Sequence, residues 1–303
     1  MPGATEMIYS LHLEDRLVGV THECDFPPEA RNKAVVVKSA IPVENMSSGE
    51  IDSAIRMYLK EGKSLYQIEE NLLLRLAPDL IVTQDLCQVC APSGNEAAKV
   101  LQTLSPKPDI LWFTPKSIGD IFENFQELGR ATDRVKEAEK IIASGKARIE
   151  KIRDKTHSLT RLPHVFCMEW IDPVYCSGHW IAELAELAGG VDRFSRQGLD
   201  SVRVSWEDVV EWDPEVLIVM LCGFNLARAV KESARLLKYP HWNSITAVRK
   251  KRVYVVDANS YFSRPGPRVI EGAELLAYLI HPDLFLMAPE KPWLMNAWLP
   301  LPA

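Results

Sequence analysis

Apolar side chains recur along this chain in two alternating patterns, the three-to-four spacing of helices and short unbroken runs of strand length. Ile51, Ile55 and Leu59 share one face of a predicted helix that opens at Ser47 to Glu50, where hydroxyl and carboxylate have capping-box spacing. The same spacing at Ser64 to Gln67 predicts a second helix, with Leu65, Ile68 and Leu72 inward. Strands are expected at 17–20, 35–37, 80–83 and 109–113. A further helix starts near Ser117 and should end at Gly129, whose tolerance of positive φ suits a helix end. From Asp133 to Lys155, the positions Val135, Ala138, Ile142, Gly145, Ile149 and Ile152 form one continuous stripe. At about 1.5 Å per residue this helix spans roughly 35 Å, enough for a rod between two lobes. Beyond it, strands at 164–168, 216–221 and 252–256 alternate with helices at 180–188, 206–211, 228–237 and 269–280. Strands alternating with helices predict an α/β protein with parallel sheets.

The two halves echo one another. Residues 70–87 and 206–222 each read as an amphipathic helix, a proline, an apolar strand and then a cysteine, with Pro78 and Pro214 separated by 136 positions. Two similar lobes follow: an amino-terminal one at 1–130, the linking helix at 131–158 and a carboxy-terminal one at 159–288. A proline-rich tail, 289–303, is expected to lie across a lobe. Ligands of open α/β sheets settle beyond the carboxyl ends of the strands, so two facing lobes would line a cleft with these strand-end loops.

Composition narrows the function. With 303 residues, 47% hydrophobic and 25% charged, the chain is an ordinary globular protein large enough for two domains. Its net charge of −6 makes nucleic acid a poor partner. No apolar run approaches the roughly 18 residues of a membrane span, and the first residues lack a secretory pattern, so a cytoplasmic location is expected from the chain as written. Six cysteines in a core this size suggest reduced thiols rather than a disulfide scaffold. None of the P-loop, nucleophile-elbow or H-E-x-x-H motifs is present, and no catalytic residue is assigned.

Chemistry-bearing residues gather at strand ends. His22 and Cys24 follow the first strand; Gln84 and the C-x-x-C pair Cys87 and Cys90 follow the strand at 80–83. Imidazole and thiolate on adjacent loops suit a transition metal, zinc or iron, or a metal-bearing ligand; core filling and a thioredoxin-like redox role are the alternatives. In the second half Trp170, Trp180 and Phe224 stand at strand ends, and Tyr261, Phe262, Arg264 and Arg268 precede the last helix. Flat rings grip a large rigid ligand, and guanidinium groups suit its carboxylate, amide or phosphate.

Taken together, residues 4–6, 17–27, 78–91, 169–173, 177–180, 184–190, 222–224 and 261–268 with His281 and Pro282 resemble the helical-backbone class of ABC-importer substrate-binding proteins, in particular its cobalamin-binding branch. The resemblance spans nearly the whole chain. It implies two Rossmann-like α/β lobes joined by one long helix, a monomer, and a corrinoid or other metal chelate held between the lobes. It also implies delivery of that ligand to a membrane permease through an acidic residue on each lobe, for which Glu96 and Glu232 occupy comparable places. Gln84, Trp170, Trp180, Phe224, Tyr261, Phe262 and Arg264 are then ligand-binding, and His22, Cys24, Cys87 and Cys90 are axial or metal-adjacent candidates. Relatives usually begin with an export signal and a strand before the Ala4 to Glu6 segment, so beside the cytoplasmic expectation stands a periplasmic or extracellular one, which applies if the amino terminus is truncated. Two rival readings stand beside the carrier: a cytosolic zinc, iron or redox protein, and an enzyme remodelling corrinoids on the same scaffold.

Overall fold

The computed structural model describes residues 1–84, 105–285 and 296–301. The chain divides into two compact units: Met1–Pro115 with Gly119–Ile142 and Pro265–Pro267, and Lys116–Ile118 with Ala143–Arg264 and Arg268–Ala303.

In the first unit helix α1 (Pro2–Ser10) leads to β1 (Gly19–Thr21) and β2 (Ala34–Ser39), which pair in parallel. Helix α2 (Ser48–Lys60) begins with the expected capping box, in which the Ser47 hydroxyl and the Glu50 side chain each accept from the other residue's backbone amide. Strand β3 (Tyr66–Ile68) then pairs antiparallel with β2. This corrects the second capping-box reading: the Ser64 hydroxyl donates to the Tyr66 carbonyl and accepts from the Tyr66 amide, a turn into a strand rather than a helix start. Helix α3 (Glu70–Leu76) and strand β4 (Leu80–Thr83) come next, and β4 pairs in parallel with β5 (Asp109–Trp112). Helix α4 (Ile118–Ala131) runs through Gly129 without ending there. A Cβ at Gly129 would lie 2.7 Å from the Ala138 Cβ, so this glycine permits close approach of the next helix rather than a turn.

That next helix, α5 (Val135–Thr156), has 22 residues and carries the chain from one unit into the other. Ala138, Ile149 and Ile152 of the predicted stripe are buried.

The second unit holds a five-stranded sheet, in spatial order Trp298–Pro300, Val253–Val256, Val216–Val219, Val165–Trp170 and Tyr175–Cys176. In chain order its elements are β6 (Val165–Trp170), β7 (Tyr175–Cys176), α6 (His179–Leu187), the short β8 (Arg196–Gln197), α7 (Trp206–Trp212), β9 (Val216–Val219) and α8 (Leu226–Ser233). They are followed by α9 (Thr246–Arg249), β10 (Val253–Val256), α10 (Ala258–Tyr261), α11 (Val269–Ile280) and β11 (Trp298–Pro300). Strands β6, β9 and β10 are parallel, and antiparallel β7 and β11 close the two edges. All four residues of β9 are buried, as are nine of α11. Part of the proline-rich tail is therefore the edge strand β11, paired with β10.

The echo is structural. α3 and α7 each end in a non-glycine residue of left-handed conformation, Ala77 (φ 43°) and Asp213 (φ 47°), before Pro78 or Pro214 and a four-residue strand. Both units alternate helices with strands, and β1–β2, β4–β5, β6–β9 and β9–β10 pair in parallel, so the architecture is α/β.

Candidate functional site

Four loops of the second unit are stitched together at the carboxyl ends of β6, β9 and β10. The Cys222 amide donates to the Glu169 carbonyl at 3.1 Å, and the Asn259 amide to the Phe224 carbonyl at 3.1 Å. Gly223 donates to the Ser263 hydroxyl at 3.1 Å, and Gly178 to a Glu169 carboxylate oxygen at 3.1 Å. Fixing the backbone in this way fixes the rings. Trp170 meets Phe224 edge to face with centroids 5.3 Å apart, the geometry the ring quadrupoles favour. The indole of Trp180 donates to the Phe262 carbonyl at 3.0 Å. Gly272 of α11 makes room for this turn, since a Cβ there would fall 2.4 Å from the Tyr261 carbonyl oxygen.

Trp180, Phe224, Phe262 and Arg264 are buried, whereas Trp170 and Tyr261 are half-buried. Of the predicted ring residues of this half, Trp180, Phe224 and Phe262 are thus enclosed, while Trp170 and Tyr261 keep part of their surface accessible. Arg268 lies over the Tyr261 ring at 5.8 Å. The sequence reading missed Arg228, whose guanidinium sits 3.9 Å over the Phe224 ring, one helical turn along the chain. The Phe224-to-Arg228 spacing across a capped helix start, with the Asn225 side chain accepting from the Arg228 amide, was the available signal.

The first unit places its candidates differently. Gln84 is buried at the end of β4. Cys24 is buried against two hydroxyls, Thr5 Oγ1 at 3.1 Å and Thr21 Oγ1 at 3.2 Å, while His22 is exposed with Nδ1 3.3 Å from the Val37 carbonyl. Cys87, Cys90 and Glu96 lie outside the described residues. Among the described residues no group of three or more His, Cys, Asp or Glu side chains is placed to hold a metal ion. Cys24, Cys167, Cys176 and Cys222 are free thiols, of which only Cys222 is exposed. Burial pushes the Cys167 thiol well above its ordinary range, with Asp192 and Glu169 adding to the effect. Glu232 is largely covered, its carboxylate 3.6 Å from Arg235.

A separate hollow of about 430 Å³ in the first unit is lined by Tyr9, Glu14, Glu29, Asn32 and Lys33. Burial, then Glu29 and Glu14, push the Tyr9 phenol up, and Lys33 Nζ donates to the Glu14 carbonyl at 2.6 Å.

Residues 2–260 match the family model described as periplasmic binding protein, and the chain belongs to that family. It is a substrate-binding protein rather than an enzyme. An uncharacterized ABC transporter substrate-binding lipoprotein, YvrC of Bacillus subtilis, is 26% identical over 291 residues, covering 94% of this chain and 79% of the relative. A vitamin B12-binding protein of Vibrio parahaemolyticus is 22% identical over 271 residues, covering 89% and 83%. Among solved structures, a periplasmic heme-binding protein of Pseudomonas aeruginosa superposes with a TM-score of 0.72 at 15% identity, covering 95% of this chain and 92% of that one.

These findings overturn the cytoplasmic expectation. The family is periplasmic and the Bacillus subtilis relative is a lipoprotein. The physical reason for the error is that an export signal is a removable address outside the fold, so the first residues of a folded chain carry no information about compartment. Among the described residues no helix is long and apolar enough to cross a membrane.

Proposed function

We propose that this protein captures a cobalamin-like corrinoid on the ring cluster of its second unit and delivers it to the permease of an ABC importer. The observation that carries the reading is that Trp170 and Tyr261 keep accessible ring surface on loops that also carry the buried Phe224, Phe262 and Arg264, with Arg228 over the Phe224 ring and Arg268 over the Tyr261 ring. A cobalamin-like corrinoid is wide, rigid and partly apolar, with amide groups around its rim and a phosphodiester in its nucleotide tail. Half-buried rings match its face at small entropic cost, and guanidinium groups match the rim. Relatives named as a vitamin B12-binding protein and an ABC transporter substrate-binding lipoprotein support the cargo and the partner respectively. In the first unit Gln84 is the candidate ligand group, at the strand end that corresponds in the echo to the end of β9.

An anaerobic absorbance and fluorescence titration with cobalamin, a ferric chelate, hemin and zinc tests the proposal. Stoichiometric cobalamin uptake that weakens about tenfold or more in Trp170→Ala, a loss of roughly 1.4 kcal/mol, is the expected result. Stoichiometric zinc or iron with no corrinoid uptake overturns it in favour of a thiol and imidazole metal protein. Preference for hemin or the ferric chelate moves the cargo to another planar or chelated metal.

A further inference from the structure

Residues 196–203 form a strap zipped along residues 175–179 at the edge of the ring cluster. Arg196 donates its amide to the Ser177 carbonyl at 3.0 Å, His179 to Leu199 at 2.8 Å, Gly198 to His179 at 3.1 Å and Cys176 to Val202 at 3.0 Å. The Ser177 and Ser195 hydroxyls are 2.6 Å apart just before the strap. The two segments touch so closely that a Cβ at Gly178 would lie 2.5 Å from the Ser201 nitrogen and 2.6 Å from the Leu199 oxygen. Yet the tip of the strap is poorly anchored in apolar terms, for Leu199 is 53% exposed.

Under this strap lies one titratable ring. His179 starts α6 in the left-handed region at φ 50°, a conformation that costs a non-glycine residue about 1 kcal/mol or more. Its imidazole Nε2 is 3.0 Å from Asp200 Oδ1 on the strap, with only 16% of the His179 side chain accessible and 76% of Asp200. We propose that His179 is a proton-operated latch: on taking up a proton it releases the strap 196–203 from the start of the helix that bears Trp180.

The groups facing the ring set the direction. A neutral imidazole satisfies itself with one hydrogen bond to Asp200 and tolerates enclosure. An imidazolium needs solvation the closed strap denies it, and the carboxylate offered in return is largely in water, where its attraction is screened. Lys116, ahead of α4, opposes the positive charge further. Arg196 reaches the Asp200 carbonyl from within the strap, and the Glu169 carboxylate is engaged by the Gly178 amide. Burial accordingly outweighs Asp200 and holds His179 below its ordinary value of 6.5. The closed state therefore refuses a proton that the open state accepts near 6.5. Acidification favours opening, by up to tenfold per pH unit until the enclosed ring itself titrates.

Amide hydrogen exchange of the ligand-free chain from about pH 8 to about pH 5, corrected for the intrinsic pH dependence of exchange, tests this directly. Protection at the His179 and Gly198 amides should fall below about pH 6.5, while the Leu217 amide, bonded to the Arg252 carbonyl in the sheet, holds steady. His179→Asn keeps a side chain that tolerates the left-handed conformation and can bond Asp200, but it cannot take the proton, so its protection should be flat with pH. Asp200→Asn, at an exposed position, should lower protection throughout and keep the slope. A flat wild-type profile, or an unchanged slope in His179→Asn, overturns the latch. Because no ligand is present, neither result bears on the corrinoid reading.

Discussion

Ala77 and Asp213 hold the same left-handed backbone state at the ends of α3 and α7, and each amide caps its helix, but only Asp213 adds side-chain hydrogen bonds. The Asp213 carboxylate accepts from the Thr246 amide at 2.6 Å and from its hydroxyl at 2.7 Å, whereas Ala77 carries no polar group. Ala77→Gly should therefore stabilise by about 0.5 to 1 kcal/mol, the left-handed penalty less the added freedom of glycine. Asp213→Gly should destabilise by about 1 to 2 kcal/mol, because it relieves the same strain and loses both bonds. Urea midpoints of the two variants, expected to move in opposite directions, check the pair. Asp192 makes a sharper case. Its carboxylate accepts from the amides of Cys167 at 2.8 Å, Phe194 at 3.0 Å and Ser195 at 3.2 Å, yet desolvation outweighs those donors and raises its pKa from 3.8 to about 6. With a raised value, the folded state binds the proton more tightly than the unfolded chain. Its favourable contribution is complete below pH 3.8 and is lost as pH rises through about 6. The lost contribution is on the order of 3 kcal/mol. Stability of the wild type minus that of Asp192→Asn should fall across this window, and a rise would refute the assignment.

At the scale of elements, α5 is tied to α11 by a two-pronged ion pair. Arg148 donates Nε to one Glu274 oxygen at 3.0 Å and a terminal nitrogen to the other at 2.8 Å. Glu274 has 13% of its side chain accessible and Arg148 33%, so removing the arginine strands a half-desolvated carboxylate. Arg148→Ala should cost about 1 to 3 kcal/mol, and Arg148→Lys should recover only part of it because an ammonium cannot match both oxygens. Much of the element order was legible beforehand: β4 and α11 fall on the expected residues, because an apolar run between Pro78 and polar flanks, or a stripe after Pro267, permits little else. Ser64 was misleading because serine two residues before a strand satisfies the same local amides as serine before a helix. Gly129 was misread because close helix approach, not backbone freedom, requires it, and only packing reveals the neighbour. Among the candidate site residues, the positions of Trp170 and Phe224 at or just beyond strand ends were readable because the strands that precede them are unmistakable apolar runs. The strap 196–203 was not, since polar and glycine-bearing loops carry no period, and the contact between His179 and Asp200 spans 21 residues.

Across the whole molecule, among the described residues, the strands of the two units differ in burial. β9 is buried throughout and β6 has four buried positions, whereas β4 is half-buried, β5 has exposed ends and α3 has no buried residue. Less apolar burial per strand means a smaller free energy of local opening, so the first unit should unfold before the second rather than with it. The distribution of tryptophan makes this measurable. Among the described tryptophans, Trp112 belongs to the first unit and Trp170, Trp180, Trp206, Trp212, Trp242 and Trp298 to the second. Denaturation followed by fluorescence should show an early phase that vanishes in Trp112→Phe, while far-ultraviolet dichroism retains both steps. A single coincident transition would show instead that the units fold as one. The proposed ligand site predicts a further asymmetry: cobalamin at about one hundred times its dissociation constant should stabilise the second step by about 2.7 kcal/mol. Trp170→Ala, by weakening the ring platform, should reduce that shift without moving the ligand-free early phase.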